Sequence, residues 1–168
     1  MATLTSWDLR SRLVLQPRGY QFGTADNLYD LNWIDVVGRL VAVRSPGRIV
    51  RTRLATWELS GIAAHCEQVA KGERALWQPR FFDSGLHMWV RRSAERVDMC
   101  QVTAVLSPIT GPLPSDMLQH WHGDRLLHPD GLEGLRFSCS RPALLLFAEE
   151  LRITMRAWPT RTVQATGT

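Results

Sequence analysis

Five histidines and three cysteines hold most of the metal-binding and nucleophilic chemistry open to this chain. His120, Trp121 and His122 stand together, with His128 six residues on. In an extended chain, i and i+2 face one side. Asp116 or Asp124 would add a carboxylate, and such a set is zinc-like. No His-Glu-x-x-His motif accompanies it. The favoured expectation is a solvated loop with Trp121 pinning it to the body, with no metal and no cofactor. Cys66, Cys100 and Cys139 lie more than thirty residues apart and form no Cys-x-x-Cys pair. They read as small buried hydrophobes.

Other catalytic arrangements have less support. Ser60-Gly61 and Ser84-Gly85 lack the Gly-x-Ser-x-Gly elbow, and no glycine-rich loop opens a helix to cradle phosphate. Glu149 and Glu150 are adjacent, so on a helix they diverge by about 100° and cannot work as a facing acid and base. No catalytic residue is therefore assigned, and no enzyme is expected. Binding is another matter. Asp26, Tyr29 and Asp30 place an aromatic beside carboxylates in the Tyr20 to Asp30 loop, a combination suited to an Arg- or Lys-bearing partner. The aspartate spacing, with Asp35, is not that of a calcium loop. Seven tryptophans cannot all satisfy their indole N–H groups in one small core, so some should be exposed. Exposed Trp and Arg are common anchors of protein interfaces. The expected contacts are Asp26, Tyr29, Asp30, His120, Trp121 and His122.

Two helices and a set of hairpins must position these residues. Leu59, Ile62, Ala63, Cys66, Val69 and Ala70 form one stripe at helical period. This predicts a helix over Thr56 to Lys71, with Thr56 as cap and Gly72 as left-handed stop. Leu144, Phe147, Ala148, Leu151 and Met155 predict a second over Pro142 to Ala157, capped by Ser140 with Pro142 in the first turn. Strands are expected over Arg12 to Gln16 (ended by Pro17), Trp33 to Val43, Ile49 to Leu54, Leu76 to Phe82, Leu86 to Arg92, Val97 to Leu106 and Leu132 to Ser138. Ser45-Pro46-Gly47 and Asp83-Ser84-Gly85 are turns. Pro108 to Gly131, with four prolines, reads as a long surface loop. The whole is an α+β single domain, residues 1–168. A mainly antiparallel sheet of six to seven strands packs with two main helices, and 160–168 form a flexible tail.

Composition sets the outer bounds. With 45% hydrophobic and 21% charged residues, the chain is of globular type rather than disordered. No apolar run approaches the ~20 residues of a membrane span. Met1 to Arg12 has no apolar signal core, and an odd number of isolated cysteines suits a reducing compartment, so a cytoplasmic location is expected. The net charge is +4, but the basic residues, all arginine except Lys71, are dispersed along the chain. Neither membrane nor nucleic acid is the expected partner.

Four phrases, taken in order, resemble the WapI-type immunity proteins. They are Tyr20-Gln21-Phe22 with Asp30-Leu31-Asn32-Trp33-Ile34-Asp35-Val36; Leu54-Ala55-Thr56-Trp57-Glu58-Leu59 with Val69-Ala70-Lys71-Gly72; Phe81-Phe82 with Leu86-His87-Met88; and Leu144 to Leu151 with Trp158-Pro159-Thr160-Arg161. The resemblance runs from about Leu13 to Arg161. Asp-x-Asn-Trp and Leu-x-Thr-x-Glu-Leu are its most specific parts. In that family a Glu-Pro pair usually follows the Phe of the middle strand, where this chain has Phe82-Asp83, and members tend to be acidic, where this one is basic. The resemblance implies a small cytoplasmic, non-enzymatic inhibitor that binds the toxic C-terminal domain of a polymorphic bacterial toxin. The alternative is a structural or regulatory domain acting through self-association as a homo-oligomer. A metal-dependent enzyme built on the His120 loop comes third.

Overall fold

The apolar stripe over Thr56 to Lys71 folds as anticipated. In the computed structural model, which describes residues 1–23, 27–43, 47, 49–78, 85–107 and 113–162 (the Tyr29 side chain aside), it is helix α2, Thr56–Lys71. Leu59, Ile62 and Cys66 are fully buried. Its start corrects one expectation: the cap position is Ala55, and Thr56 is the first helical residue. Ala55 has no side-chain acceptor, so half of the usual reciprocal cap is missing. Glu58 supplies the other half, accepting the Ala55 N–H at 2.8 Å. Gly72 ends the helix at φ +85°, where a Cβ would be strained. Helix α3 spans Arg141–Met155, and the Ser140 hydroxyl accepts the Ala143 N–H at 3.3 Å. A single turn, α1, occupies Leu28–Leu31.

The described strands form two antiparallel sheets. The first has the order β1 (Ala2–Thr5), β2 (Ser11–Tyr20), β3 (Trp33–Ala42), β4 (Ile49–Ala55). The second is built from β5 (Leu76–Trp77), β6 (Leu86–Arg92), β7 (Met99–Leu106), β8 (Trp121–His122), β9 (Arg125–Leu127) and β10 (Glu133–Ser140), in the order β5-β6-β7-β10-β9-β8. The α+β class holds, but these ten strands exceed the six or seven anticipated. Pro17 does not end β2. The strand passes through it at a register shift between Pro17 and Gly19. Its missing N–H costs nothing there, because β1 pairs only as far as Leu15. The Pro108 to Gly131 loop contains a 3-10 turn, Met117–His120, and the β8–β9 hairpin. Of the expected Leu76 to Phe82 strand, the first two residues are β5. The Asp83-Ser84 and Ser45-Pro46 turns lie outside the described residues.

Both sheets turn an apolar face to one core that also takes the buried stripes of α2 and α3. Cys100 and Cys139 are directly paired across β7 and β10. Burial raises all three thiols above the ordinary range, Cys139 to about 12. At neutral pH they are therefore protonated and packed, as the sequence suggests. Glu149 and Glu150 are likewise structural. Glu150 accepts the Thr3 N–H at 2.7 Å, and Glu149 lies 3.4 Å from Arg152. No described helix is long and apolar enough to cross a membrane.

Candidate functional site

The loop that was to carry Asp26, Tyr29 and Asp30 is largely occupied with its own folding. Asp26 and the Tyr29 side chain lie outside the described residues. Asp30 accepts the Asn27 side-chain amide at 2.6 Å and donates its N–H to Asn27 Oδ1 at 2.9 Å, an Asx-type local turn. The neighbouring Asn32 is fully buried. Its Nδ2 donates to the Leu28 carbonyl (2.8 Å) and the Arg161 carbonyl (3.0 Å), and its Oδ1 accepts the Arg161 N–H at 2.7 Å. The Thr56 hydroxyl lies 3.3 Å from the same Oδ1 and 3.1 Å from the Thr160 hydroxyl. The Arg161 guanidinium stacks 3.4 Å from the centre of the Tyr20 ring, and the Tyr20 hydroxyl donates to the Pro159 carbonyl. Thr160 and Arg161, from the expected tail, are thus bonded to the body. Asn32→Ala would remove bonds to three segments from a fully buried position, and a loss of about 1–3 kcal/mol is expected. The shift in the urea midpoint measures it.

A second surface is open. Strand register places Arg91, Gln101 and Ser138 in one row across the outer face of the second sheet, and Trp89, Thr103 and Arg136 in the next. These rows floor a groove of about 620 Å³. The β1–β2 turn forms one wall, held by the Trp7 N–H donating to the Ser138 carbonyl at 2.9 Å. Trp7 is 62% exposed, with Arg96 5.9 Å from the centre of its ring. Leu9 in the same turn has φ +62°, a conformation that costs a non-glycine residue about 1–2 kcal/mol. On the groove floor, beside the same edge of β10, Arg136 lies 3.8 Å from the centre of the Trp121 ring. Trp121 itself is half-buried, packed on Val105, Leu126 and Leu132. It does pin its segment to the body. His122 is exposed on β8, while His120 turns away toward Asp116 and His128. The extended i, i+2 pairing of His120 with His122 is therefore not formed. His120 closes a 3-10 turn, which ends the extended geometry that pairing needs. The hydrogen bond from His128 is the chief reason the Asp116 carboxyl is held below its ordinary range.

The arginines that are scattered in sequence are gathered by the first sheet. Arg12, Arg18, Arg39, Arg51 and Arg53 point outward from β2, β3 and β4, with Asp35 among them. Trp33, the aromatic that shares their alternation on β3, is buried, so these strands offer no exposed ring among the arginines for a single-stranded nucleic acid to stack upon.

A family model described as the Immunity protein WapI-like family matches residues 4–159. The chain belongs to the WapI-like immunity protein family. No curated protein and no solved structure matches the chain. Three of the four phrases by which it resembles WapI-type proteins meet at the Asn32 knot, where Asn32, Thr56, Thr160 and Arg161 are joined; Phe81-Phe82 of the other lie outside the described residues. In this WapI-like chain they hold the fold. The groove residues Trp7, Trp89, Arg91 and Arg136 are absent from the contacts expected from sequence. Their signal was present in the alternation of β6, where His87, Trp89 and Arg91 fall opposite the core-facing Leu86, Met88 and Val90.

Proposed function

We propose that this protein is an immunity-type inhibitor that binds the toxic domain of a partner toxin and blocks it without chemistry of its own. The observation that carries this reading is the groove on the second sheet, where two tryptophans and two arginines line one open concavity. These residue types dominate binding energy at protein interfaces. Family membership supports a toxin as the partner. The basic outer face of the first sheet suits an acidic toxin surface and would speed encounter at low salt. The test is to co-express the chain with the toxin domain encoded beside its gene. A stable one-to-one complex and protection of the host from that domain are expected. Failure of both would sink the reading.

Self-association is the second reading. It draws on Leu146 and Ile153, which are seven residues apart on one side of α3 and 60% and 54% exposed. Light scattering separates the two, because a chain that stays monomeric at high concentration leaves only the hetero-complex.

A further inference from the structure

Apart from the groove, one set of side chains has ligand chemistry and a convergent geometry. Asp116 precedes the 3-10 turn Met117–His120, and His120 closes it, which brings His120 Nε2 to 3.5 Å from Asp116 Oδ2. His128 arrives from the far side of the β8–β9 hairpin. Its backbone is fixed twice: its N–H donates to the Leu132 carbonyl at 3.1 Å, and its carbonyl accepts the Gly131 N–H at 2.9 Å. Gly131 makes that turn at φ +80°. The turn buries the His128 side chain to 4% exposure and places its Nε2 3.2 Å from Asp116 Oδ1. The two imidazoles meet edge to face with centroids 4.5 Å apart. One ligand atom from each of the three residues lies within 4.8 Å of the others.

We propose that Asp116, His120 and His128 form a binding site for one divalent transition-metal ion, of which zinc is the type. Tetrahedral zinc with bonds of about 2.0–2.1 Å places neighbouring ligand atoms roughly 3.3 Å apart. The separations of 3.5 and 3.2 Å, one to each carboxylate oxygen of Asp116, lie close to that edge, and with the three ligand atoms within 4.8 Å of one another a bound ion has only to draw the set inward. Two imidazoles and a carboxylate suit zinc and its neighbours, whereas calcium and magnesium select oxygen ligands. Three protein ligands leave a fourth position for water.

Asp130 completes the arrangement. Its N–H donates to His128 Nδ1 at 3.2 Å, and its carboxylate lies 3.7 Å from the same nitrogen. In the metal-free protein Nδ1 is an acceptor, so the neutral ring carries its proton on Nε2, directed at Asp116. A metal at Nε2 selects the other tautomer. The Nε2 proton leaves to solvent and Nδ1 takes one up; the Asp130 N–H gives up its bond to that nitrogen, and the Asp130 carboxylate accepts the new Nδ1–H, as the outer partner of a ligating histidine commonly does. The ring's net charge is unchanged. Because the ligands span residues 116–128, a bound ion ties the 3-10 turn to the far end of the hairpin. It thereby steadies the segment that carries Trp121.

The test needs no toxin. Chelator-stripped full-length protein is titrated with Zn²⁺ by calorimetry and with Co²⁺ by visible absorption. One ion per chain is expected, with a cobalt ligand-field spectrum free of any thiolate charge-transfer band and a higher Tm with zinc. His120→Ala and Asp116→Asn should each weaken binding roughly tenfold or more, with the far-UV circular dichroism of the metal-free protein unchanged. His122→Ala should leave affinity within about twofold, roughly 0.4 kcal/mol. Should His120→Ala disturb the fold, Asp116→Asn alone decides. The proposal is overturned by the lack of a saturable one-to-one isotherm, by a cobalt–thiolate band, or by affinity that survives the substitutions.

Discussion

Phe147→Ala is expected to lower the free energy of unfolding by about 3–5 kcal/mol. Among the described residues Phe147 heads the fully buried side chains by size, and it lies on the α3 stripe that enters the common core with α2. Truncation loses the transfer energy of the ring and leaves a cavity. The rigid neighbours, strands of two sheets and a second helix, cannot fully collapse into it. Native domains of this kind are stable by about 5–15 kcal/mol, so the loss is a large fraction of the total. It corresponds to a fall in Tm of roughly 6–20 °C for a chain of this size. Urea unfolding should show a lower midpoint with an unchanged slope. The neighbouring Leu146, 60% exposed, provides the control, and Leu146→Ala should stay within about 0.5 kcal/mol of the parent. A cost below about 1 kcal/mol for Phe147→Ala would mean that α3 does not share the core.

The helices were legible because two signals agreed. Periodic apolar positions marked the buried faces, and Ser140, Pro142 and Gly72 marked the ends. The cap at Ala55 was not legible, because tertiary bonds do the work of a capping side chain there. The Thr56 N–H donates to the Asn32 carbonyl at 3.0 Å, a partner twenty-four residues away in sequence. Strands β1, β8 and β9 were missed for a different reason. Each has four residues or fewer, too short for alternation to stand out. They exist because a neighbouring strand offers its free edge.

The candidate site was less legible than the fold. Pairing in space, rather than spacing in sequence, assembles both the groove and the arginine face. Arg91 and Ser138 belong to one row only through Gln101 between them. The histidine segment shows the same limit. His120 and His122 are two residues apart and diverge, whereas His120 and His128 are eight apart and converge. The turn at Gly131 and the hairpin between them make that reversal. Trp121 packs against the body on Val105, Leu126 and Leu132, and Arg136 covers its ring.

In the proposed complex, Trp7→Ala and Arg91→Ala are each expected to weaken toxin binding by at least about 2 kcal/mol, roughly thirtyfold in Kd. Both side chains are exposed and stand at the groove without core contacts, so their loss should leave folding intact. Circular dichroism and Tm check that point. The two should differ in mechanism. Trp7 sits on a strained turn, already ordered by its backbone bond to Ser138, so little entropy is lost when a partner covers it. Its effect should appear as faster dissociation. Arg91 is held by Gln101 at 2.7 Å and acts through charge as well as packing, so part of its effect should fade as salt rises. Arg51→Ala on the first sheet supplies the contrast. If the groove is the interface, Arg51→Ala slows association modestly and leaves dissociation unchanged. If Arg51→Ala accelerates dissociation while Trp7→Ala and Arg91→Ala bind like the parent, the toxin sits on the arginine face, and the groove is not the inhibitory surface.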